Sequence, residues 1–354
     1  MDIYETYLGF LKDEEVSPPL AAILALTEIM ERSNAGTTFE LVEELKDGAE
    51  ALNKQSKNPI SLNAGCKLFI EFITLFPHAS AKFSDIRTEL IQQGRQYVAE
   101  ALTYRQKIAE VAFDFIKDDS VVNFDPLLLA SGDANPPNGT QAKAYLWYGE
   151  YSPTINIRLK YSRFTKVYVT EARPKGLGIR TAEMLTAAGI PCTVVLDSAV
   201  AYAIEKVDFV LVGSEAVVES GGLINAVGSN QLAIIARAAS KPFYALAESF
   251  KFHRLFPLSQ DDLPIHNPNL FSFPISQPKA APPMNARPSV FLPSSGEAST
   301  DDAESPIRFT QEQIAQNNPE VDYTRPDLIT LVFSDVGSLT PEGVSQYLVG
   351  MFTG

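Results

Sequence analysis

Four short apolar runs decide the fold: KVYVTE (166–171), CTVVLD (192–197), DFVLVGSE (208–215) and PFYALAE (242–248). Between them lie three stretches with helical patterning, TAEMLTAAG (181–189), SAVAYAIEK (198–206) and SNQLAIIARAAS (229–240). Continuous β-branched runs alternating with amphipathic stretches predict βαβ units, and so a parallel sheet with helices on both faces. Ligands of such sheets bind at the carboxyl ends of the strands, and the loops that leave those ends hold most of the glycines of this stretch.

Working outward, residues 2 to about 117 read as helical. PLAAILALTEIMERS (19–33) follows Ser17 and Pro18 and precedes Gly36, the cap, first-turn proline and terminal glycine of a helix. TTFELVEELKDGAEALNKQS (37–56), SLNAGCKLFIEFITLF (61–76) and one long run from Ala81 to Lys117 continue the helical pattern. Beyond the fourth apolar run, the Pro- and Ser-rich stretch ending in GEASTDDAE (296–304) predicts a disordered surface loop over about 267–304. LITLVFSD (328–335) reads as a buried strand and LTPEGVSQYLVGMF (339–352) as a closing helix. The expected architecture is α/β: an all-helical N-terminal domain (1–120), an irregular connecting segment (121–165) and a Rossmann-like parallel-sheet domain (166–354).

Composition narrows the function. The 354 residues are 45% hydrophobic and 20% charged, with a net charge of −14. That sign opposes nucleic acid as the main partner, since phosphate backbones demand basic surface, and it suits a partner with a basic face. Solubility alone also accounts for it. No apolar run spans a bilayer, and the acidic start MDIYETYLGFLKDEE lacks a signal peptide's basic region, so a cytoplasmic protein is expected. The two cysteines, Cys66 and Cys192, read as buried thiols, and the three histidines lack metal-ligand spacing.

Three loops and one segment hold the candidate site residues. In TEARPKGLGIRTAEML (170–185), Arg173, Gly178 and Arg180 bracket a helix start, where backbone amides and guanidinium groups suit a phosphate. Two solvated arginines beside an ordinary turn fit equally well. In ESGGLINAVGSNQLA (219–233), Asn225, Gly228 and Ser229 lead into a helix that could hold an anion, although simple capping also explains Ser229. Asp197 ends a strand, as a functional carboxylate or as an N-cap. In ESFKFHRLFPL (248–258), Lys251 is a further phosphate candidate. There Phe250, Phe252, Arg254, Leu255 and Phe256 form a basic–aromatic alternation that fits a subunit interface, a half-buried strand edge or a nucleic-acid contact.

VYVTEARP, GIPCTVVLDSAVAYAIEKVDFVLVGSEAVVESGGLINAVGSNQ, KPFYALAESFKFHRLFPL, VDYTRPDLITLVFSDVGSLTP and SQYLV together resemble the alpha-subunit family of eukaryotic translation initiation factor 2B, in a fungal form. The likeness is close over 166–264 and 319–352 and looser in the helical part, chiefly through AGCKLFIEFI and KIAEVAFDFIKDD. It implies a regulatory, non-catalytic subunit of the exchange factor that recharges initiation factor 2 with GTP. Such a subunit pairs with itself and joins two copies of the beta, gamma, delta and epsilon subunits. It senses factor 2 whose alpha subunit is phosphorylated, with no required cofactor and no direct nucleic-acid partner. The same superfamily contains sugar-phosphate isomerases, which resemble this chain at Arg173, Pro174, Gly178 and Arg180, so a sugar phosphate or nucleoside monophosphate is an expected ligand. Their catalytic aspartate follows an Asn-Gly pair. Here that pair is Ser220-Gly221 and the aspartate position is Gly222, which cannot relay a proton. Their catalytic cysteine has no counterpart in VVNFDPLLLASG (121–132), so isomerase activity is not expected.

Overall fold

The computed structural model describes residues 2–13, 16–56, 59–75, 82–113, 115, 121–124, 166–187, 191–266 and 310–353. Five helices form the first layer: α1 (Ile3–Phe10), α2 (Pro18–Arg32), α3 (Thr38–Gln55), α4 (Pro59–Leu75) and α5 (Phe83–Ala101). Helix α2 is the axis of this bundle. Leu20, Ile23, Leu26 and Met30 are each at most 2% exposed, and Ala21, Ala22 and Ala25 fill the positions between them. Such a helix is apolar nearly all round because neighbours cover every face. A fully buried leucine contributes about 1.5–3 kcal/mol. Two neighbours approach α2 through glycine notches: a Cβ on Gly65 of α4 would lie 2.8 Å from Pro19 Cβ, and one on Gly48 of α3 would lie 2.7 Å from Ile29 Cδ1. Pro18 sets the first turn of α2, but the Ser17 hydroxyl makes no capping bond, and the helix stops at Arg32, short of Gly36.

Within the run from 81 to 117 the described residues form two helices, not one. It breaks at Leu102–Thr103, and α6 (Tyr104–Phe113) leaves the bundle. Its buried Ile108, Ala109 and Ala112 pack on Val167, Val169, Phe209, Leu211 and Phe333 of the main sheet. The hydrophobic periodicity runs on through the break because each helix has an apolar face, though they face different cores.

Among the described residues the main sheet has seven strands: β1 (Val121–Phe124), β2 (Lys166–Thr170), β3 (Cys192–Val195), β4 (Phe209–Val212), β7 (Phe243–Leu246), β10 (Leu331–Ser334) and β11 (Gly337–Leu339). Their order is β3-β2-β1-β4-β7-β10-β11, parallel except for the β10–β11 hairpin. This is the doubly wound arrangement expected. All four predicted runs are strands, as is LITLVFSD. Strand β1, inside the segment read as irregular, takes the central place between β2 and β4. Strand β4 is buried along its whole length. It has α6 on one face and α9 (Ser229–Ala238) with α11 (Pro341–Thr353) on the other, as the two hydrophobic clusters show. The remaining cover includes α7 (Leu177–Ala187) and the single turn α8 (Val200–Ala203), which is all of SAVAYAIEK that is α-helical.

A second sheet had no counterpart in the sequence reading. Strands β5 (Ala216–Val218), β6 (Leu223–Ala226), β8 (Phe252–His253) and β9 (Val321–Thr324) pair in the order β8-β5-β6-β9. Its β5–β6 hairpin turns at Gly221, whose φ of +80° favours glycine and whose Cβ would fall 2.3 Å from the Pro341 carbonyl oxygen. Helix α10 (Gln311–Gln316) belongs to a unit separate from the rest of the described residues. The connecting segment from 125 to 165 and the expected loop over 267–304 lie outside the described residues.

His253 on β8 is 2% exposed, and neither ring nitrogen has a hydrogen-bond partner among the described residues. Burial, aided by the Lys67 cation, pushes its pKa down from 6.5 to about 4. A depressed folded-state pKa contributes stability above the unfolded value, and that stability is lost as pH falls towards the folded one. The wild-type chain should therefore lose about 3 kcal/mol more than His253→Gln between pH 7 and pH 4. Urea unfolding midpoints of the two proteins across that window check it; parallel curves would refute it.

Candidate functional site

The carboxyl end of β2 is held by three local constraints. Gly178 begins α7 so close to the strand that a Cβ would lie 1.8 Å from the Thr170 carbonyl oxygen. Its amide donates to the Glu171 carbonyl at 3.1 Å. Between them, Ala172 adopts a left-handed φ of +53° and the Arg173–Pro174 bond is cis. The amides of Ala172 and Arg173 point at one carboxylate: Asp197 Oδ1 accepts from Ala172 at 3.0 Å and Oδ2 from Arg173 at 2.8 Å. Asp197 is therefore a latch across two strand ends. Neither of the roles open to it in the sequence describes what its side chain does here.

The second loop repeats this arrangement. Gly228, with φ +111°, is the N-cap of α9. Its amide donates to Asp322 Oδ2 at 2.7 Å, and the Asn230 amide donates to the same oxygen at 3.0 Å. The positive end of α9 is thus met by a carboxylate from β9. Buried Asn225 donates to Ser229 Oγ at 2.8 Å, and Ser229 in turn donates to the Ala226 carbonyl. These side chains tie the loop to itself. Asp322 was not among the sequence candidates because it lies in VDYT, some ninety residues downstream, with nothing local to mark it.

A shallow hollow separates the two latches, lined by Thr170, Ala172, Asp197, Val227, Gly228 and Gln231. Arg173 and Arg180 lie outside that lining. Arg173 is 61% exposed and 3.5 Å from Glu171, and Arg180 is exposed on the first turn of α7. Among the described residues no group of His, Cys, Asp and Glu could hold a metal.

Two groups of candidates move. Lys251 is 2% exposed, pairs with Glu248 at 3.1 Å and donates to the Ser214 carbonyl at 3.3 Å. Burial, then the Arg105 cation, pushes its pKa well down. It cannot reach a ligand in solvent. Phe250 and Phe252 are each 1% exposed, the first stacked on Tyr104 and the second edge-on to Tyr347. They belong to the interior of this chain and not to an exposed interface. Leu255 is partly buried against the second sheet. Arg254, which faces Glu219 at 3.8 Å, and Phe256, 64% exposed, stay at the surface, joined by Leu258 at 78%.

Gly222, where the sequence resemblance would put an isomerase aspartate, has no room for a side chain. Its Cβ would fall 2.5 Å from the Tyr323 ring and 2.9 Å from the Thr324 carbonyl oxygen. The Tyr323 backbone is gripped on both sides by Gln260, at 2.7 Å each way.

Removing the Asp322 carboxylate strips two amides of their acceptor. Asp322→Ala should lower unfolding stability by about 1–2 kcal/mol, as losing a helix cap does. Urea denaturation checks this, and an unchanged midpoint would show that the latch carries no stability.

The chain matches the model of the initiation factor 2 subunit family over residues 14–341. It is 34% identical over 347 residues to translation initiation factor eIF2B subunit alpha of Dictyostelium discoideum, covering 96% of this chain and 93% of that one. With the Caenorhabditis elegans protein of the same name it shares 30% over 359 residues, covering 99% and 98%. A ribose 1,5-bisphosphate isomerase of Archaeoglobus fulgidus is 28% identical over 232 residues, 65% of this chain and 66% of that one. Among solved structures, the tetrameric eIF2B-beta2-delta2 complex from C. thermophilum superposes with a TM-score of 0.62 at 15% identity, covering 99% and 93%, a likeness of fold.

Proposed function

Since the chain belongs to the initiation factor 2 subunit family, we propose that it is the regulatory, non-catalytic alpha-type subunit of the exchange factor that serves initiation factor 2. The observation that carries this reading is similarity along nearly the whole chain to proteins named as eIF2B subunit alpha. In this reading two copies pair and join two sets of beta, gamma, delta and epsilon subunits in the cytoplasm. The assembly then senses factor 2 through its phosphorylated alpha subunit. The acidic balance of −14 suits a partner with a basic face.

The isomerase alternative fares worse on chemistry. Proton relay needs an ionisable group at the reacting carbon, and position 222 offers a glycine wedged against Tyr323. Ligand binding without turnover is a separate matter. In this reading Arg173 and Arg180, both exposed, take the phosphate of a sugar phosphate or nucleoside monophosphate.

Light scattering of the purified chain, alone and with the other four subunits, tests the assembly. A dimer that draws the others into one particle containing two copies of each subunit is expected. A monomer indifferent to them would overturn the proposal. Ligand capture has its own check: the double variant Arg173→Ala and Arg180→Ala should abolish the thermal shift given by ribose 5-phosphate or adenosine monophosphate while pairing persists. A shift retained in full would remove both arginines from the site.

A further inference from the structure

Just beyond β8, burial alternates residue by residue. Arg254, Phe256 and Leu258 are exposed, Leu255 is part-buried and Pro257 is buried. The Glu219 amide donates to the Leu255 carbonyl at 3.1 Å, which carries the β5–β8 pairing past the end of β8. A period of two puts Arg254, Phe256 and Leu258 on one outer face, while Leu255 packs on the core of the second sheet. The segment is tied down along its length. Asp262 Oδ2 accepts the amides of Leu258 and Ser259, both at 2.9 Å, and the Ser259 hydroxyl at 3.2 Å. Gln260 holds the Tyr323 backbone from both sides. Large apolar side chains displayed on a fixed backbone lose little freedom when covered, which suits them as anchors of an interface.

Charge identifies what covers them. Arg254 and Glu219 stand side by side at 3.8 Å, with side chains 54% and 33% exposed. A two-fold axis through such a patch sets the arginine of one copy against the glutamate of the other, so the surface complements itself. A partner of a single sign would meet a like charge here. With a net charge of −14, two copies repel on average and meet best at a patch whose own charges cancel. Phe256 and Leu258, 64% and 78% exposed, supply about a third of the roughly 800 Å² that each copy buries in a stable pair, with polar residues around them as the rim. We infer that the strip Arg254–Phe256–Leu258, with Glu219 beside it, is the surface through which two copies of this chain pair. The inference rests on the pairing in the proposed function and says where on the chain it occurs.

Equilibrium sedimentation of the full chain alone provides the test. The wild type should be a dimer; a monomer would remove the pairing itself and this surface with it. Phe256→Ser together with Leu258→Ser should weaken pairing about a hundredfold or more, with the circular dichroism unaltered because both side chains are exposed. Phe39→Ser, at an equally exposed aromatic on α3, should leave the dimer intact. Arg254→Glu and Glu219→Arg should each weaken pairing, and mixing the two variants should restore it, since each copy then meets in the other the charge it lacks. A dimer unchanged by the two serines, or charge variants that mixing fails to join, would overturn the inference and leave the subunit reading standing. A serine variant that still pairs but no longer joins the other four subunits would assign the strip to one of them, and overturn it equally.

Discussion

A carboxylate withdrawn from water has to be met by positive charge, and the fold is arranged so that Glu248 is met twice. Arg105 comes from the first turn of α6, and Lys251 lies three residues further along the chain. Burial pushes the Glu248 pKa up while Arg105 opposes it, and the same burial pushes Lys251 down. Arginine does not surrender its proton, so the Arg105–Glu248 pair is the fixed element of the cluster. The pair forms where α6, after the break at Leu102–Thr103, lies on the sheet through Ile108, Ala109 and Ala112. The break, the direction of α6 and the insertion of Phe250 among the helices are consistent with a single electrostatic demand.

The loops at the strand ends show the same physics in a milder form. Backbone amides at a tight turn or a helix start need acceptors, and a bound anion is one way to provide them. Here the chain supplies its own, Asp197 for the β2–α7 loop and Asp322 for α9. Both sets of amides therefore serve cohesion between distant segments. The cationic side chains of the first loop and helix start, Arg173 and Arg180, are exposed and take no part in these latches.

Much of the main sheet was legible because its strands are apolar on both faces and its helices on one, a contrast that periodicity reports directly. The second sheet was not, since strands of two to four residues carry too short a period, and ESGGLINAVG reads as a glycine loop until its partner at Val321–Thr324 is known. Strand β1 was missed for a related reason: VVNF is brief and is followed at once by Asp125 and Pro126. Of the candidate site residues, Gly178 and Gly228, read as part of anion loops, sit where a close approach and a positive φ favour glycine. Lys251, Phe250 and Phe252 misled, because alternating cations and aromatics look alike whether they face solvent or two separate cores. Direction along a segment is a tertiary property, and Asp322 and Arg105, the partners that define it, are remote in the chain.

The crowding at Gly222 also bears on how the chain can change over generations. An acidic group at this position would collide with the Tyr323 ring, whose backbone Gln260 holds from both sides and whose hydroxyl lies 3.3 Å from Ser220. A side chain at 222 needs a smaller residue at 323 and still meets the Thr324 carbonyl oxygen at 2.9 Å, and that smaller residue alone leaves a void in the second sheet. Each step alone is unfavourable, so the pair forms a ratchet. Positions 222 and 323 are therefore coupled, and a larger residue at the first is accommodated only with a smaller one at the second.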